Sequence, residues 1–490
     1  MSSVNRRQFC SGLAALSTIY AAKGLAQSTT KKKPNIIFVL CDDLGWGDLK
    51  CYNSFSAIPT PNANRLADQG VRWTDMHSSD AVCTPSRYSI LTGRYCWRSI
   101  LKKGALRGSS PSLIEPGRMT VASMLKAEGY YTAGVGKWHL GLGNDKVTDY
   151  TKPLHPGPND FGFDYFFGIP ASLDMPPYLY FENDHVVEQP TSSTPGSADK
   201  TPHGVFWRPG PMAPHFDLQQ VLPNTVKKAV EIINQRATTP AHPFFLYLAL
   251  PSPHTPWLPL PQNVGRSAAG KYGDYVTEVD DMLGLVMQAL DKTGLADNTL
   301  IIFTSDNGAP WTEEDKASYE HLANGDWRGQ KADIWEGGHR IPFIARWPKH
   351  IPPASTSSQL GCLSDFMATA AAITGVKLPP NAAEDSFNLL PVLVEQSKVP
   401  ARDSLVDHAW DGMFCIQQGN WKLEEGLGSG GWNSRPERIT PVAGGPKGQL
   451  YDLSVDPCEK HNLYQQNPEI VDRLSKLLET YKRQGYSRPM

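Results

Sequence analysis

The sequence predicts an α/β fold: a large domain with a central, mostly parallel sheet flanked by helices, then a small C-terminal α+β subdomain. Two observations carry this. Short apolar runs rich in β-branched and aromatic residues alternate with segments of helical periodicity, the pattern of parallel strands joined by helical crossovers. Beyond a Pro/Ala-rich stretch, Leu378–Ala383, the pattern changes to closely spaced short strands and one closing helix.

Residues 1–26 stand apart from the fold. Arg6 and Arg7 precede Gln8 and Phe9, an apolar stretch runs from Gly12 to Ala22, and Gly24, Leu25 and Ala26 offer a cleavage site. That layout predicts a bacterial signal peptide of the twin-arginine type and export to the periplasm or beyond. Its apolar stretch is too short to span a bilayer, and no later run reaches 18 apolar residues, so no membrane span is expected. The formal charge is −2, and removing Arg6, Arg7 and Lys23 with the leader leaves −5. Such a balance gives no reason to expect nucleic-acid binding.

The strands are predicted at Ile36–Leu40, Phe244–Leu250 and Leu300–Thr304. Each is short, apolar and rich in β-branched or aromatic residues, as buried strands are. Helical periodicity appears at Asn62–Gln69, Thr120–Glu128, Asn224–Gln235 and Tyr272–Thr293. Between Pro153 and Pro223 the chain is rich in Pro, Gly and aromatics with no long periodic run, which reads as extended loops over the sheet edge. The C-terminal unit shows strand-like pieces at Leu405–His408, Met413–Gln417, Trp421–Glu424 and Gln449–Leu453, then a helix at Pro468–Arg483.

Each predicted strand leads into polar residues. Asp42 and Asp43 come after the first, His254 after the second, and Asp306 and Asn307 after the third. Ligand sites of open α/β sheets lie at the carboxyl ends of strands, so these groups are expected to converge.

Eight cysteines are present, and Cys10 leaves with the leader. The remaining seven fit no zinc spacing and no dense disulfide framework. An odd number in an exported protein points to at least one thiol that is unpaired or used in chemistry. Cys83 stands out, in Ala81-Val-Cys-Thr-Pro-Ser-Arg87. Thr84 is a helix-capping residue type and Pro85 suits a first helical position. Cys83 would then sit at the positive end of a helix, with Arg87 one turn further in.

The run from Ala81 to Gly93 resembles the active-site motif of the formylglycine-dependent sulfatases. Gly129–His139 is similar to that family's second motif, with Gly136, Lys137 and His139 as its Gly-Lys-x-His element. Asn35–Gly47, Ser305–Gly308, Lys331–Gly338 and Leu450–Pro457 resemble further family elements, in family order. The likeness covers roughly residues 34–465 and implies an alkaline-phosphatase-like catalytic domain at 27–380 and a C-terminal α+β subdomain at 381–490. It implies that Asp42, Asp43, Asp306 and Asn307, with the residue at Cys83, bind Ca²⁺, or Mg²⁺ in its place; such oxygen ligands suit hard cations. A maturation enzyme would oxidise Cys83 to formylglycine (3-oxoalanine), whose hydrate attacks sulfur and then releases sulfate. Arg87, Lys137 and Lys331 would stabilise charge on the sulfuryl oxygens. His139 would take a proton from the hydrate, and His254 would protonate the leaving oxygen.

The implied substrate is a sulfated glycan or a small sulfate ester. Trp97, Arg98, His203, Trp207, His215, Trp257, Trp311 and Trp327 flank the motifs in irregular segments, which makes them candidate substrate contacts. Cys51 and Cys96 are candidates for a disulfide, which needs α-carbons within roughly 7 Å. Cys41, before Asp42, departs from the usual family pattern and reads as a packing residue. Two other functions fit parts of the pattern: a single-metal phosphate or phosphonate ester hydrolase of the same fold, and a non-catalytic glycan-binding protein.

Overall fold

The computed structural model describes residues 32–432 and 434–489. The export signal expected at 1–26 lies outside them. Residues 33–490 form one compact unit. Its centre is a ten-stranded sheet in the order Ser355–Ser357, Val71–Trp73, Phe343–Arg346, Thr299–Ser305, Asn35–Asp42, Phe244–Pro253, Tyr131–Lys137, Tyr165–Ile169, Phe181–Glu182, His185–Val186. The five strands from Thr299–Ser305 to Tyr165–Ile169 are all parallel. Antiparallel pairing enters only towards the edges, through Phe343–Arg346 on one side and Phe181–Glu182 on the other.

All eight residues of Asn35–Asp42 are buried. Ile36, Phe38 and Leu40 enter the core on one face, while Ile37, Val39 and Cys41 enter the core on the other. This is the alternation of a strand covered on both sides, which is why the sequence reads as an unbroken apolar run. The helices Val221–Ala237 and Gly270–Thr293 cover the second face, and Phe366–Thr374 and Val121–Ala127 pack on the first. The four C-terminal strands form a separate antiparallel sheet with Pro468–Gln484 packed on it.

Two expectations are corrected. The segment Pro153–Pro223 is not all loop, because Tyr165–Ile169, Phe181–Glu182 and His185–Val186 extend the main sheet. These strands have two to five residues, too few to register as periodicity, and pairing with Tyr131–Lys137 orders the first of them. Cys51 and Cys96 are free thiols. Cys51 packs against the core on one face of the sheet and Cys96 is buried in the core on the other, so the sheet separates them.

No helix among the described residues is long and apolar enough to cross a membrane.

Candidate active site

The carboxyl ends of the central strands deliver the polar groups. Asp42 ends Asn35–Asp42, and Lys137 ends Tyr131–Lys137. His254 follows Phe244–Pro253, and Asp306 follows Thr299–Ser305. Three non-glycine positions here adopt a left-handed backbone: Asp43 (φ 70°), His139 (φ 57°) and Ala332 (φ 81°). Such conformations cost about 1–3 kcal/mol each and persist where the surroundings hold them. Asp43 donates its amide to Asp306 Oδ1 at 3.2 Å, and Ala332 donates its amide to the Ala81 carbonyl at 2.8 Å. Ala81 in turn donates to the His408 carbonyl at 3.0 Å, so the segment entering Cys83 is tied to two distant stretches. Gly308 is obligatory for a different reason: a Cβ there would lie 1.9 Å from the Gly337 carbonyl. That close approach brings the Asp306–Asn307 turn against the segment after Lys331.

Cys83 opens the helix Cys83–Thr92 and is 3 % exposed. The helix starts two residues earlier than expected, so Thr84 is inside the first turn rather than at its cap. Its hydroxyl donates to the His139 carbonyl at 3.1 Å and accepts from the Leu106 amide at 3.2 Å. Pro85 remains in the first turn, where its missing N–H has no helical partner to lose.

Three buried cations meet three buried carboxylates. Lys137 Nζ lies 2.6 Å from Asp42 Oδ2, and Lys331 Nζ 2.7 Å from Asp43 Oδ1. Arg87 donates through Nε and Nη2 to Asp306 Oδ2 at 3.0 and 2.7 Å, and through Nη1 to the Lys137 carbonyl at 3.2 Å. Asn307 donates to Asp43 Oδ1 at 2.7 Å. Two oxygens in this cluster, Asp42 Oδ1 and Asn307 Oδ1, are buried with no hydrogen-bond partner. Burial acts to raise the Asp42 carboxyl, but Lys137, His254, Arg87 and Lys331 together hold it well below the usual range. Burial, and then Asp42, push Asp306 up. An anionic oxygen cluster with orphaned acceptors fits a hard cation: Asp42, Asp43, Asp306 and Asn307 offer the oxygens that such ions take, and Cys83 Sγ lies in one group with Asp42 and Asp306.

The two histidines differ. His139 Nε2 is 2.8 Å from the Leu106 carbonyl, which can only accept, so Nε2 carries the proton. Its Nδ1 is buried without a partner, and burial, with Lys137, pushes the imidazole well below its usual pKa. His254 donates from Nδ1 to the Thr255 carbonyl at 2.7 Å, and its Nε2 stands 3.7 Å from Asp43 Oδ2. Burial pushes the Cys83 thiol up, against the pull of Lys137 and Lys331.

The family model described as sulfatase matches residues 34–376. The chain belongs to the sulfatase family. This sulfatase is 35 % identical to an N-acetylgalactosamine-6-O-sulfatase of Bacteroides thetaiotaomicron, over 92 % of this chain and 93 % of that one. It is 32 % identical to human arylsulfatase A, over 93 % and 88 %. A solved Bacteroides thetaiotaomicron structure, titled for the metabolism of multiple glycosaminoglycans, superposes with a TM-score of 0.80 at 34 % identity, covering 92 % of this chain and all of that one. A Pseudoalteromonas sulfatase structure gives a TM-score of 0.74 at 26 % identity, over 94 % and 92 %. The chain is thus a sulfuric ester hydrolase of the alkaline phosphatase superfamily.

A cavity of about 310 Å³ opens over the cluster, reaching Asp43, Cys83, His254 and Lys331 at its floor. Of the eight candidate substrate contacts of this sulfatase, His203 and Trp257 line it. The other six lie elsewhere. Trp97 and Arg98 pack under the C-terminal sheet, where Arg98 pairs with Asp385 at 2.8 Å. Trp311 is 1 % exposed and donates to the His321 carbonyl. Trp327 sits edge-on to Trp46 beneath Arg340. Trp207 donates to Thr194 and packs on the core, and exposed His215 pairs with Glu188. Proximity in sequence to a motif did not translate into proximity to the cavity, because most of these rings are needed for packing.

The cavity wall includes residues that sequence analysis did not single out: Arg107, Asp174, Arg208, Trp410 and Trp432. Trp410 and Trp432 stack edge-to-face with centroids 4.4 Å apart. A signal for Trp410 was available, since it follows the strand Ser404–His408 as His254 follows its own.

Proposed function

We propose that this sulfatase removes sulfate from a sulfated carbohydrate, using formylglycine made from Cys83 and a Ca²⁺ ion, or Mg²⁺ in its place. The observation that carries the reading is Cys83 itself: a buried thiol, held protonated, at a helix N-terminus among Lys137, Lys331 and the carboxylates of Asp42 and Asp306. As a thiol it is a poor nucleophile. Formylglycine, once formed, supplies an oxygen nucleophile through its hydrate and a second hydroxyl through which sulfate is released. The cation, when bound, supplies Lewis-acid polarisation of a sulfuryl oxygen.

The chain's own residues would then divide the work. Asp42, Asp43, Asp306 and Asn307 hold the cation and Arg87 fixes the Asp306 carboxylate. With the carboxylates compensated by the ion, Lys137 and Lys331 are left to neutralise the ester's oxygens as charge develops. His254 keeps Nδ1 engaged with Thr255, so Nε2 is the atom that delivers a proton to the leaving oxygen. His139 has the opposite arrangement: Nε2 is held, and the Nδ1 lone pair is the one that takes a proton. The carbohydrate reading rests on the relatives named for N-acetylgalactosamine 6-sulfate and on the cavity's aromatic wall. Trp257, Trp410 and Trp432 offer apolar faces of the kind that sugar rings stack on, and Arg107, Arg208 and Asp174 offer polar contacts. Residues 27–380 form the catalytic domain and residues 381–490 the subdomain that supplies the two tryptophans. The leader sends the mature enzyme out of the cytoplasm after a formylglycine-generating enzyme has acted.

The test has two arms. Mass spectrometry of the peptide containing Ala81–Arg87, from active native protein, should find formylglycine in place of cysteine. Sulfate release from a panel of sulfated hexosamines and oligosaccharides should be fast for at least one member and abolished in Cys83→Ala. An unmodified cysteine in fully active enzyme would refute the nucleophile. Faster turnover of an aryl phosphate than of every sulfate ester would favour a phosphate hydrolase of the same fold.

A further inference from the structure

Behind the active site, His77, His339 and Asp407 meet in a buried cluster that sulfate hydrolysis does not use. His77 ends the short strand Met76–His77, His339 ends the helix Glu336–His339, and Asp407 lies in Ser404–His408. They are 0 %, 1 % and 1 % exposed. His77 Nδ1 is 2.9 Å from His339 Nδ1, which is 3.3 Å from Asp407 Oδ2. The three ligand atoms all fall within 4.8 Å of one another.

The ring protons can be placed from the surroundings. His77 Nε2 faces Asp75 Oδ1 at 3.0 Å, and Arg340 pairs with the same oxygen at 2.7 Å. His77 therefore carries its proton on Nε2. His339 Nε2 lies 3.0 Å from the Ile334 carbonyl, which can only accept. Lys422 Nζ also stands 3.0 Å from His339 Nε2, and its other neighbours are the Ile334 carbonyl and Glu336 Oε1, each at 3.0 Å, and Glu459 Oε1 at 2.7 Å. With Lys422 turned to the oxygens, neutral His339 is protonated on Nε2; with Lys422 donating to that nitrogen, the proton lies on Nδ1 and bridges the two rings. In the first arrangement both imidazoles point bare Nδ1 lone pairs at each other, beside the Asp407 carboxylate. The second oxygen of that carboxylate, Asp407 Oδ1, is buried with no hydrogen-bond partner. Acceptors this close repel unless a cation sits among them.

The geometry favours a metal ion as that cation. Metal–ligand bonds of about 2.0–2.2 Å in a tetrahedral zinc site separate neighbouring ligand atoms by roughly 3.3 Å. Metal-bound histidines typically donate their second ring N–H to a carboxylate or a backbone carbonyl, which is what Asp75 and Ile334 provide.

We propose that His77, His339 and Asp407 form a structural site for a divalent transition metal of the zinc type, with Asp407 able to offer both oxygens. Imidazole donors suit such an ion, whereas the oxygens around Asp42 suit calcium. The ion joins the strand leading to the Cys83 helix, the helix after Lys331 and the C-terminal sheet.

The test uses the full chain expressed in cobalt-supplemented medium, so that the metal is captured as the protein folds, and purified in calcium. Metal analysis should find about one cobalt per chain, with the visible absorption of tetrahedral Co²⁺. His77→Gln and Asp407→Asn should each lose the cobalt and its absorption while keeping the calcium content of the wild type. A wild-type cobalt content no higher than that of His77→Gln would overturn the proposal and leave a proton shared between the two imidazoles. Should both variants fail to fold, anomalous diffraction from wild-type crystals grown with zinc decides: a peak flanked by the three side chains supports the site, and its absence overturns it.

Discussion

Replacing Lys137 with Met tests the electrostatics of the active site most directly. The ammonium is fully buried and lies 2.6 Å from Asp42 Oδ2. Removing one partner of a buried ion pair costs about 3–5 kcal/mol, because the other charge is left behind. Asp42 keeps Arg87 at 3.6 Å and feels Lys331 and His254, so the loss should fall at the low end, about 3 kcal/mol. Unfolding entropy near 2.1 cal/mol/K per residue gives a chain of this size roughly 1 kcal/mol per degree, so Tm should drop by about 3 °C. The effect on rate should be larger. A preorganised group facing the charge that develops in a dry site is worth about 10²–10³ in kcat. Differential scanning fluorimetry and initial rates of sulfate release from an aryl sulfate measure the two effects separately. A variant that melts about 3 °C low but keeps kcat/KM within tenfold of wild type would refute the catalytic role and leave Lys137 as a counter-ion to Asp42 only.

Asp306→Ala should lose bound calcium and activity together, and metal analysis showing full calcium occupancy in the variant would refute the ligand assignment. Trp410→Ala should lower turnover of the natural glycan about tenfold or more while leaving a small aryl sulfate nearly unaffected, since loss of one aromatic stacking contact is worth about 1–2 kcal/mol; equal losses on both substrates would argue against a sugar-facing wall. Glu278 gives a pH signature away from the site. Burial pushes its carboxyl up to about 7, so the folded state binds this proton more tightly than the unfolded chain, and stability is lost as pH rises from about 4.5 through about 7. Glu278→Gln should therefore raise Tm by about 2–3 °C at pH 8 and by less than about 1 °C at pH 5, from about 3 kcal/mol of linkage at the higher pH; an equal shift at both values would refute the assignment.

The large domain was legible because its strands are buried on both faces and so write themselves as apolar runs, as in Phe244–Leu250. The convergence of Asp42, His254 and Asp306 was legible for a related reason: parallel strands bring their carboxyl ends to one edge, so polar residues just past each run must meet. The partners inside that site were not. Nothing in the sequence tells Lys137 to pair with Asp42, and Lys331 with Asp43, because those choices are made by packing in three dimensions. The cavity wall was the least legible part. A tryptophan's type does not say whether it packs or recognises, and buried Trp311 and half-buried Trp410 look alike in one dimension. The His77–His339–Asp407 cluster gathers residues more than 300 positions apart, beyond any spacing rule.

The burial of Cys83 sets an order of events. Its helix begins in the interior, and the segment before it is clasped by backbone hydrogen bonds from Ala332 and to His408. An oxidising enzyme needs to reach the sulfur, yet the finished fold presents 3 % of that residue to solvent. If Cys83 is oxidised as proposed, the window for modification closes as the chain closes: residues 332 and 408 are synthesised long after residue 83, and their contacts with Ala81 enclose it. On that proposal, the time the nascent chain spends without its last third limits how much of the enzyme is converted.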